Sequence, residues 1–523
     1  MNAGPAADVA VIGTGIVGMA VAYRLLRRGH TVTVIGPRPG PAAAGQATSA
    51  AGAMLSPFSE VDATQPEQRV ALEVEHRLRA LARYPAWLEE ITATTGIPMP
   101  LVPGTWVVAT EDERESVAAI ARAAHAAGHT AETAAGTHID GLQPEVPPAV
   151  ALWLPSEPAI DIARLLTALG AAITRHRRAR WVASDAVQVS TGAAPVRIRC
   201  TDGSTAESDR VVLAAGTGIP ALLGPRATEL GVPPVLAGRG VSLLLNAPLS
   251  IPYTIRTPNL AFACGSHLVP RGDGTLYLGA TNRLTLTPAK GPAATLDEIA
   301  VLIDDGTRRL EQRLSAAALH RVQLGHRPYT LDHLPLIGPT RDPAVLVATA
   351  TYRCGVLLAP LLADLIADVI DTPAALDLHP YRAGRPIATP SATDLFDTAA
   401  ARGLAQHLLG TTVPSNAASH RQLTALLGHV VPALVQAHGP TSDAVARLFS
   451  RAPVVETFPA LLALLERLEH PCPAPLPIPR PRSCTPQPSS ATAPSAVTTG
   501  SANSASTPST SSPSPPPSNS APA

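Results

Sequence analysis

One stretch near the start constrains the fold more than any other: DVAVIGTGIVGMAVAYRLLRR, residues 8–28. A short apolar run suited to a buried strand enters a turn with glycines at Gly13, Gly15 and Gly18, and an apolar-periodic helix follows. The glycines allow a tight turn, a close approach of backbone N–H groups to a pyrophosphate, and close packing of helix on strand. The helix N-terminus adds a favourable field for an anion. Such a unit predicts a Rossmann-like α/β domain. The pattern fits a bound dinucleotide, and it also fits a βα turn without a ligand.

The next strand raises a question. HTVTVIGPRPG, residues 30–40, should end its strand in an Asp or Glu that bonds a ribose hydroxyl. Gly36 stands there, followed by Pro37 and Arg38. Loss of the carboxylate removes a charge-assisted hydrogen bond worth about 1.5–3 kcal/mol, while Arg38 would suit a 2′-phosphate. FAD, NADP and an empty turn all remain open at this point. A second segment, DRVVLAAGTGIPALL (209–223), runs from an apolar strand into Ala214, Ala215, Gly216 and Gly218, small residues that let backbone pass close to a cofactor. An ordinary strand-to-loop junction reads the same way. With the first turn, it points to one long cofactor held by two segments of one domain.

At 523 residues the chain can build two or three packed units. Formal net charge is zero, and Lys290 is the only lysine among 40 basic residues, so the arginine excess is compositional and gives no reason to expect a nucleic-acid surface. Five cysteines (Cys200, Cys264, Cys354, Cys472, Cys484) show no close metal-ligand spacing. No charged n-region precedes an apolar segment and cleavage site, and the apolar run near the start is too short to span a bilayer. These features predict a reduced, cytoplasmic, soluble protein without a metal or a membrane partner.

Up to about Leu378, strand-like runs alternate with helical stretches. Beyond Pro390 the texture changes. Thr393 or Asp394 can cap a helix, and Leu423, Leu426, Leu427, Val430 and Leu434 recur at helical spacing, as do Leu461, Leu464, Leu465 and Leu468. A helical appendage is expected over 391–470, able to pack on the rest of the chain or to meet a second copy or a partner protein. Residues 471–523, rich in Pro, Ser and Thr and almost free of large apolar side chains, are expected to be disordered.

Two late stretches, GHRPYTLDHLPLIGP (325–339) and ATATYRCGVLLAPLLADLIADVI (348–370), stand with the N-terminal turn and ATSAAGAMLSPFSE (47–60). Together these four ordered blocks resemble the D-amino-acid oxidase superfamily of flavoproteins, and most of all its glycine oxidases. The resemblance implies an α/β fold in residues 1–385, with a Rossmann-like FAD-binding part (about 1–85, 150–235 and 320–380) interleaved with an antiparallel β-sheet substrate part (about 86–149 and 236–319). It implies FAD, held by Gly13, Gly15 and Gly18 at the pyrophosphate and by Thr48, Ser49, Ala50, Ala51, Gly52 and Met54 on the flavin side. Ala215 and Gly216 match the adenosine half, and Arg353, Cys354, Gly355, Val356 and Leu357 the loop and helix start at the flavin ring. Some members tether flavin through a cysteine where this chain has Gly325, so the flavin is expected to be non-covalent. Cys354, at an apolar helix start, suits a packed small residue better than a nucleophile.

An amino-acid oxidase must hold a small carboxylate and its amine so that the α-hydrogen faces flavin N5. A guanidinium fork does this with two parallel hydrogen bonds. Arg327 matches the family's carboxylate-binding arginine and Arg353 a second one near the site; a structural ion pair is the alternative for either. Hydride leaves most readily from a neutral amine, so no protein base is strictly required. The imine would hydrolyse in water, and O2 would reoxidise the flavin with release of H2O2.

The substrate part is expected to be mainly strands over 102–110 and 240–282, with a hairpin in 262–282 turning at Gly272, Asp273 and Gly274. Glycine oxidases usually carry a tyrosine at the position of His267 and an apolar residue at that of Asn282. Both changes suggest a more polar pocket and a substrate other than plain glycine: an N-substituted glycine, a hydrazine-bearing amino acid, a biosynthetic adduct or a larger D-amino acid. His267 orients the substrate or sits on a surface strand; Asn282 contacts substrate or ends a strand. An NADP-dependent dehydrogenase and a non-catalytic scaffold acting through the appendage are the rival expectations.

Overall fold

The computed structural model describes residues 8–38, 45–63, 65–134, 139–192, 195–233, 235–259, 264–285, 293–330 and 332–385. The expected appendage and tail, 391–523, with Cys472 and Cys484, and also Lys290, lie outside the described residues.

Strand β1 (Asp8–Ile12), helix α1 (Ile16–Arg27) and strand β2 (Thr31–Ile35) form where the glycine turn predicts them. β1 lies between β2 and the strand Arg210–Leu213 and runs parallel to both. The sheet extends in parallel through Val345–Thr349 on one side and Ala179–Val182 on the other, with Leu336–Pro339 antiparallel at the far edge. Side chains alternate across it. Val9, Val11, Val32 and Val34 join a core with α1 and the helix Gly355–Asp371, whereas Ala10, Ile12 and Ile35 join a second core with Val196 and Ile198. A sheet buried on both faces explains why its strands read as unbroken apolar runs.

The helix Gly355–Asp371 packs along α1, and its acids sit at intervals that put them on one face. Asp364 pairs with Arg24 (2.6 Å) and Arg83 (2.7 Å), Asp368 with Arg28 (2.6 Å), and Asp371 with Arg28 (2.8 Å) and His30 (3.0 Å). Pro360 lies inside this helix and has no N–H to give the carbonyl of Val356, four residues earlier. The buried hydroxyl of Tyr84 donates to that carbonyl instead.

The second sheet is mostly antiparallel and is built on two long strands, Leu236–Asn246 and Ala318–Tyr329, paired from Leu236 opposite Tyr329 to Asn246 opposite Ala318. The expected hairpin is present as His267–Pro270 and Leu276–Gly279. Its turn closes with Arg271 N donating to Thr275 O (2.9 Å) and Thr275 N donating to Asp273 Oδ1 (3.0 Å). One segment boundary differs from the expectation. Val150–Leu154, placed at the start of an FAD-side segment, pairs antiparallel with Thr105–Ala109 in the second sheet. The chain returns to the first layer only at the helix Ile162–Arg175, whose N-terminus is capped by Asp161. Among the described residues no helix is long and apolar enough to cross a membrane, and no group of three or more His, Cys, Asp or Glu could hold a metal ion.

Candidate active site

A cavity of about 1160 Å³ runs from the C-terminal ends of β1 and β2 to the second sheet. It opens where ligands of doubly wound sheets bind, beyond the carboxyl ends of the strands. At one end Gly13 has φ +113°, and a Cβ there would lie 2.4 Å from the carbonyl oxygen of Ala214. Gly18 does not line the cavity; a Cβ on it would lie 2.1 Å from the Gly13 carbonyl oxygen, so its role is the close approach of α1 to the turn. Gly15 has no side chain to cap α1, and the first N–H of the helix, that of Ile16, donates to Thr48 Oγ1 (3.1 Å). Thr48 therefore ties its own loop to the glycine turn before α1, a link across 32 residues that the motif spacing does not reveal.

The rest of that loop is clamped to the second sheet. The carbonyl of Ser49 accepts from Gln323 Nε2 (2.6 Å), that of Ala50 from Ser242 Oγ (3.1 Å) and Tyr277 Oη (2.9 Å), and that of Ala51 from Arg271 Nη2 (2.7 Å). Thr48, Ala50 and Ala51 line the cavity; Ser49, Gly52 and Met54 stand behind it, with Met54 bridged to Ala159. Ala215 and Gly216 line its wall, as do Gly355 and Val356 at the start of the helix Gly355–Asp371, whose first turn carries no acid to oppose a bound anion. Leu357 is buried in the core. Cys354 packs half-buried on the same core, and burial raises its thiol above the usual range, as suits a packed residue.

The missing acid has a local explanation. Gly36 has φ +144°, and a Cβ there would lie 3.0 Å from the methyl of Thr14. Its N–H donates to Val182 O (3.0 Å) and its carbonyl accepts from Trp181 Nε1 (3.0 Å). Arg38 stacks over Trp181, 4.9 Å from the ring centroid, and donates to Thr174 Oγ1 (3.0 Å). The turn after β2 is thus closed by Trp181 and Thr14, residues the sequence did not single out.

At the opposite end Arg327, from the strand Ala318–Tyr329, lies over the facing strand where Gly240 leaves room: a Cβ on Gly240 would be 2.2 Å from Arg327 Nη1. That nitrogen donates to Thr281 O and to Asn282 Oδ1, both at 3.1 Å. Asn282 Nδ2 donates in turn to Tyr352 Oη (2.6 Å). Tyr352 and Arg353 both line the cavity; the Arg353 guanidinium stacks 4.8 Å from the Tyr352 ring centroid, and its Nε pairs with Glu60 Oε2 at 2.9 Å. Glu60 also takes Arg256 Nη1 at 2.7 Å. Burial opposes ionisation of Glu60, but Arg256 and Arg353 outweigh it and hold the carboxyl well below its usual range.

His267 and Asn282 are not among the lining residues, and both are buried. His267 is therefore not a surface-strand histidine. Its Nδ1 donates to Gly265 O (2.8 Å), its ring stacks on Tyr277, and its other edge backs Gly52. Burial, with Arg256 second, pushes its pKa down to about 3, so the imidazole is neutral near pH 7. A Cβ on Gly325 would lie 2.8 Å from Ala47 Cα, which leaves no room for a flavin-tethering cysteine.

The family model described as FAD dependent oxidoreductase, DAO, matches residues 8–369. A glycine oxidase of Geobacillus kaustophilus (strain HTA426) is 28% identical over 398 residues, 73% of this chain and 97% of that protein. A bifunctional protein ThiO/ThiG of Nostoc sp. (strain PCC 7120 / SAG 25.82 / UTEX 2576) is 30% identical over 379 residues, 69% of this chain and 52% of that protein, so the match spans about half that relative's length. The crystal structure of glycine oxidase from Geobacillus kaustophilus superposes with a TM-score of 0.63 at 25% identity, over 73% of this chain and 99% of that one. Iminodiacetate oxidase from Chelativorans sp. BNC1, at 20% identity and a TM-score of 0.58 over 69% of this chain and 95% of that one, shares the fold. The NADP expectation drawn from Gly36 and Arg38 is corrected by the family match to FAD-dependent enzymes, and Arg38 is already engaged by Trp181 and Thr174.

Proposed function

The chain belongs to the DAO family of FAD-dependent oxidoreductases, and on that premise we propose that it oxidises the C–N bond of a small amino acid or secondary amine that carries a carboxylate. Its cofactor is FAD, held without a covalent bond. When bound, FAD supplies the acceptor for hydride from the substrate C–N carbon and a path for those electrons to O2 with formation of H2O2, and the imine left behind hydrolyses in water. Gly13, Gly15 and the N-terminus of α1 would face the pyrophosphate, and Thr48, Ala50, Ala51, Gly355 and Val356 the flavin end.

The observation that carries this reading is Arg327. Its Nη1 is held by Thr281 and Asn282, while Nε and Nη2 make no protein hydrogen bond among the described residues. A guanidinium offering that edge to a cavity grips a carboxylate with two parallel bonds and fixes the α-carbon beside it. Arg353, occupied by Glu60, forms the wall rather than the grip. His267 is neutral but lies behind the flavin-side loop, so in this reading the amine loses its proton to solvent and no side chain serves as base.

Oxygen uptake and H2O2 release measured with glycine, sarcosine, N-ethylglycine, iminodiacetate and D-alanine test the proposal. Peroxide should form with at least one, and Arg327→Leu should lower kcat/KM by about 100-fold or more, as expected for loss of a charge-assisted bidentate contact. Peroxide formation that is indifferent to Arg327 would remove the carboxylate from the account.

A further inference from the structure

We propose that Asn282 is a positioning residue that selects which edge of Arg327 meets the substrate, and thereby sets the site's preference for carboxylate ligands. The proposal rests on the reading of Arg327 as the carboxylate grip.

The amide of Asn282 has no ambiguity of orientation. Arginine nitrogens only donate, so the atom facing Arg327 Nη1 at 3.1 Å is the amide oxygen. The amide nitrogen then faces Tyr352 and donates to its hydroxyl oxygen at 2.6 Å. Nη1 carries two hydrogens, and Thr281 O and Asn282 Oδ1 take both. The guanidinium cannot turn about its long axis without breaking these bonds, which leaves Nε and Nη2 as the edge presented to a ligand. A side-on edge of this kind matches a carboxylate with two parallel bonds.

The facing strand is shaped for this arrangement. Gly238 lies opposite Arg327 in the register, and Gly238 and Gly240, two apart, project to the same face. A Cβ on Gly238 would lie 2.9 Å from Asn282 Oδ1, and one on Gly240 would lie 2.2 Å from Arg327 Nη1. The two glycines form a trough that accepts the amide and the guanidinium side by side. Asn282 is 9% exposed and the cavity wall does not include it, so it acts through Arg327 and Tyr352 and does not touch the substrate.

The experiment uses the full-length FAD-loaded protein and glycolate, a carboxylate with no oxidisable amine, whose Kd is read from the perturbation of the flavin band. Asn282→Leu removes the bonds to Arg327 and Tyr352 and should raise that Kd about tenfold, the effect of losing one ordinary hydrogen bond's worth of orientation, with flavin content unchanged. Asn282→Asp places a carboxylate against Arg327 in competition with the ligand and should raise it further. Tyr352→Phe, which removes only the second of these bonds, should raise it by less than Asn282→Leu does. If Asn282→Leu does not load FAD, Asn282→Asp decides. A Kd unchanged in FAD-loaded Asn282→Leu or Asn282→Asp, while Arg327→Leu abolishes binding, overturns the proposal and leaves the carboxylate grip standing. Glycolate binding that is equal in wild type and Arg327→Leu overturns both.

Discussion

Glu60 Oε2 lies 2.9 Å from Arg353 Nε, and this contact links the cavity wall to a buried charge network, because the other Glu60 oxygen takes Arg256, itself 1% exposed. Asn259 completes the set, accepting from Arg256 Nη2 (2.7 Å) and donating to Glu60 (3.1 Å). Removing one partner of a buried pair leaves the other charge uncompensated. Glu60→Gln should therefore destabilise the protein by about 3–5 kcal/mol in urea unfolding, and an unchanged midpoint would contradict the role given to the pair. Because the folded state holds the Glu60 carboxyl below its unfolded value, its contribution is present above the ordinary carboxylate range and fades as pH falls below it.

Tyr84→Phe removes only the hydroxyl that serves the Val356 carbonyl above Pro360. An orphaned buried carbonyl costs about 1–3 kcal/mol, so the melting temperature should fall while the visible spectrum of bound flavin keeps its shape. An unaltered melting temperature would mean that the carbonyl finds another donor.

Restoring the usual acid at the end of β2 should fail here. Gly36→Glu forces a side chain onto a backbone at φ +144° and against the Thr14 methyl. FAD binding to the stripped protein, followed by fluorescence quenching, should weaken by about tenfold or more relative to wild type, on the scale of one lost backbone-geometry-dependent contact. Tighter binding would show that the turn after β2 is less committed than its hydrogen bonds imply.

His267 binds its proton far less readily in the folded state, with a pKa pushed down to about 3 from an ordinary 6.5. Below pH 6.5 the unfolded chain takes up a proton that the folded chain refuses, so stability drops by about 1.4 kcal/mol per pH unit from this group between pH 6 and 4. Unfolding free energy measured against pH should show a shallower acid slope in His267→Asn. Parallel slopes would place the acid sensitivity elsewhere.

Much of the site could be read from local chemistry. The turn from Gly13 to Gly18 announced both its strand and its helix, the hairpin turned where Gly272, Asp273 and Gly274 supply turn residues, and Arg327 stood in a recognisable block. Contacts between distant segments could not be read that way. Glu60 meets Arg256 across 196 residues, and Thr48 caps a helix that starts 32 residues earlier. Val150–Leu154 is an apolar run that looks the same in either sheet, so periodicity could not assign it. For His267, strand alternation could indicate two faces but not that the loop carrying Gly52 covers one of them.

The most direct test is the absorption spectrum of the purified protein, followed anaerobically as sarcosine, glycine and other carboxylate-bearing amines are added, beside Arg327→Leu at the same concentrations. The flavin band should bleach in the wild type with at least one of them and persist in the variant. A colourless protein that takes up no added FAD, or a band that bleaches equally in both, would contradict the proposed function.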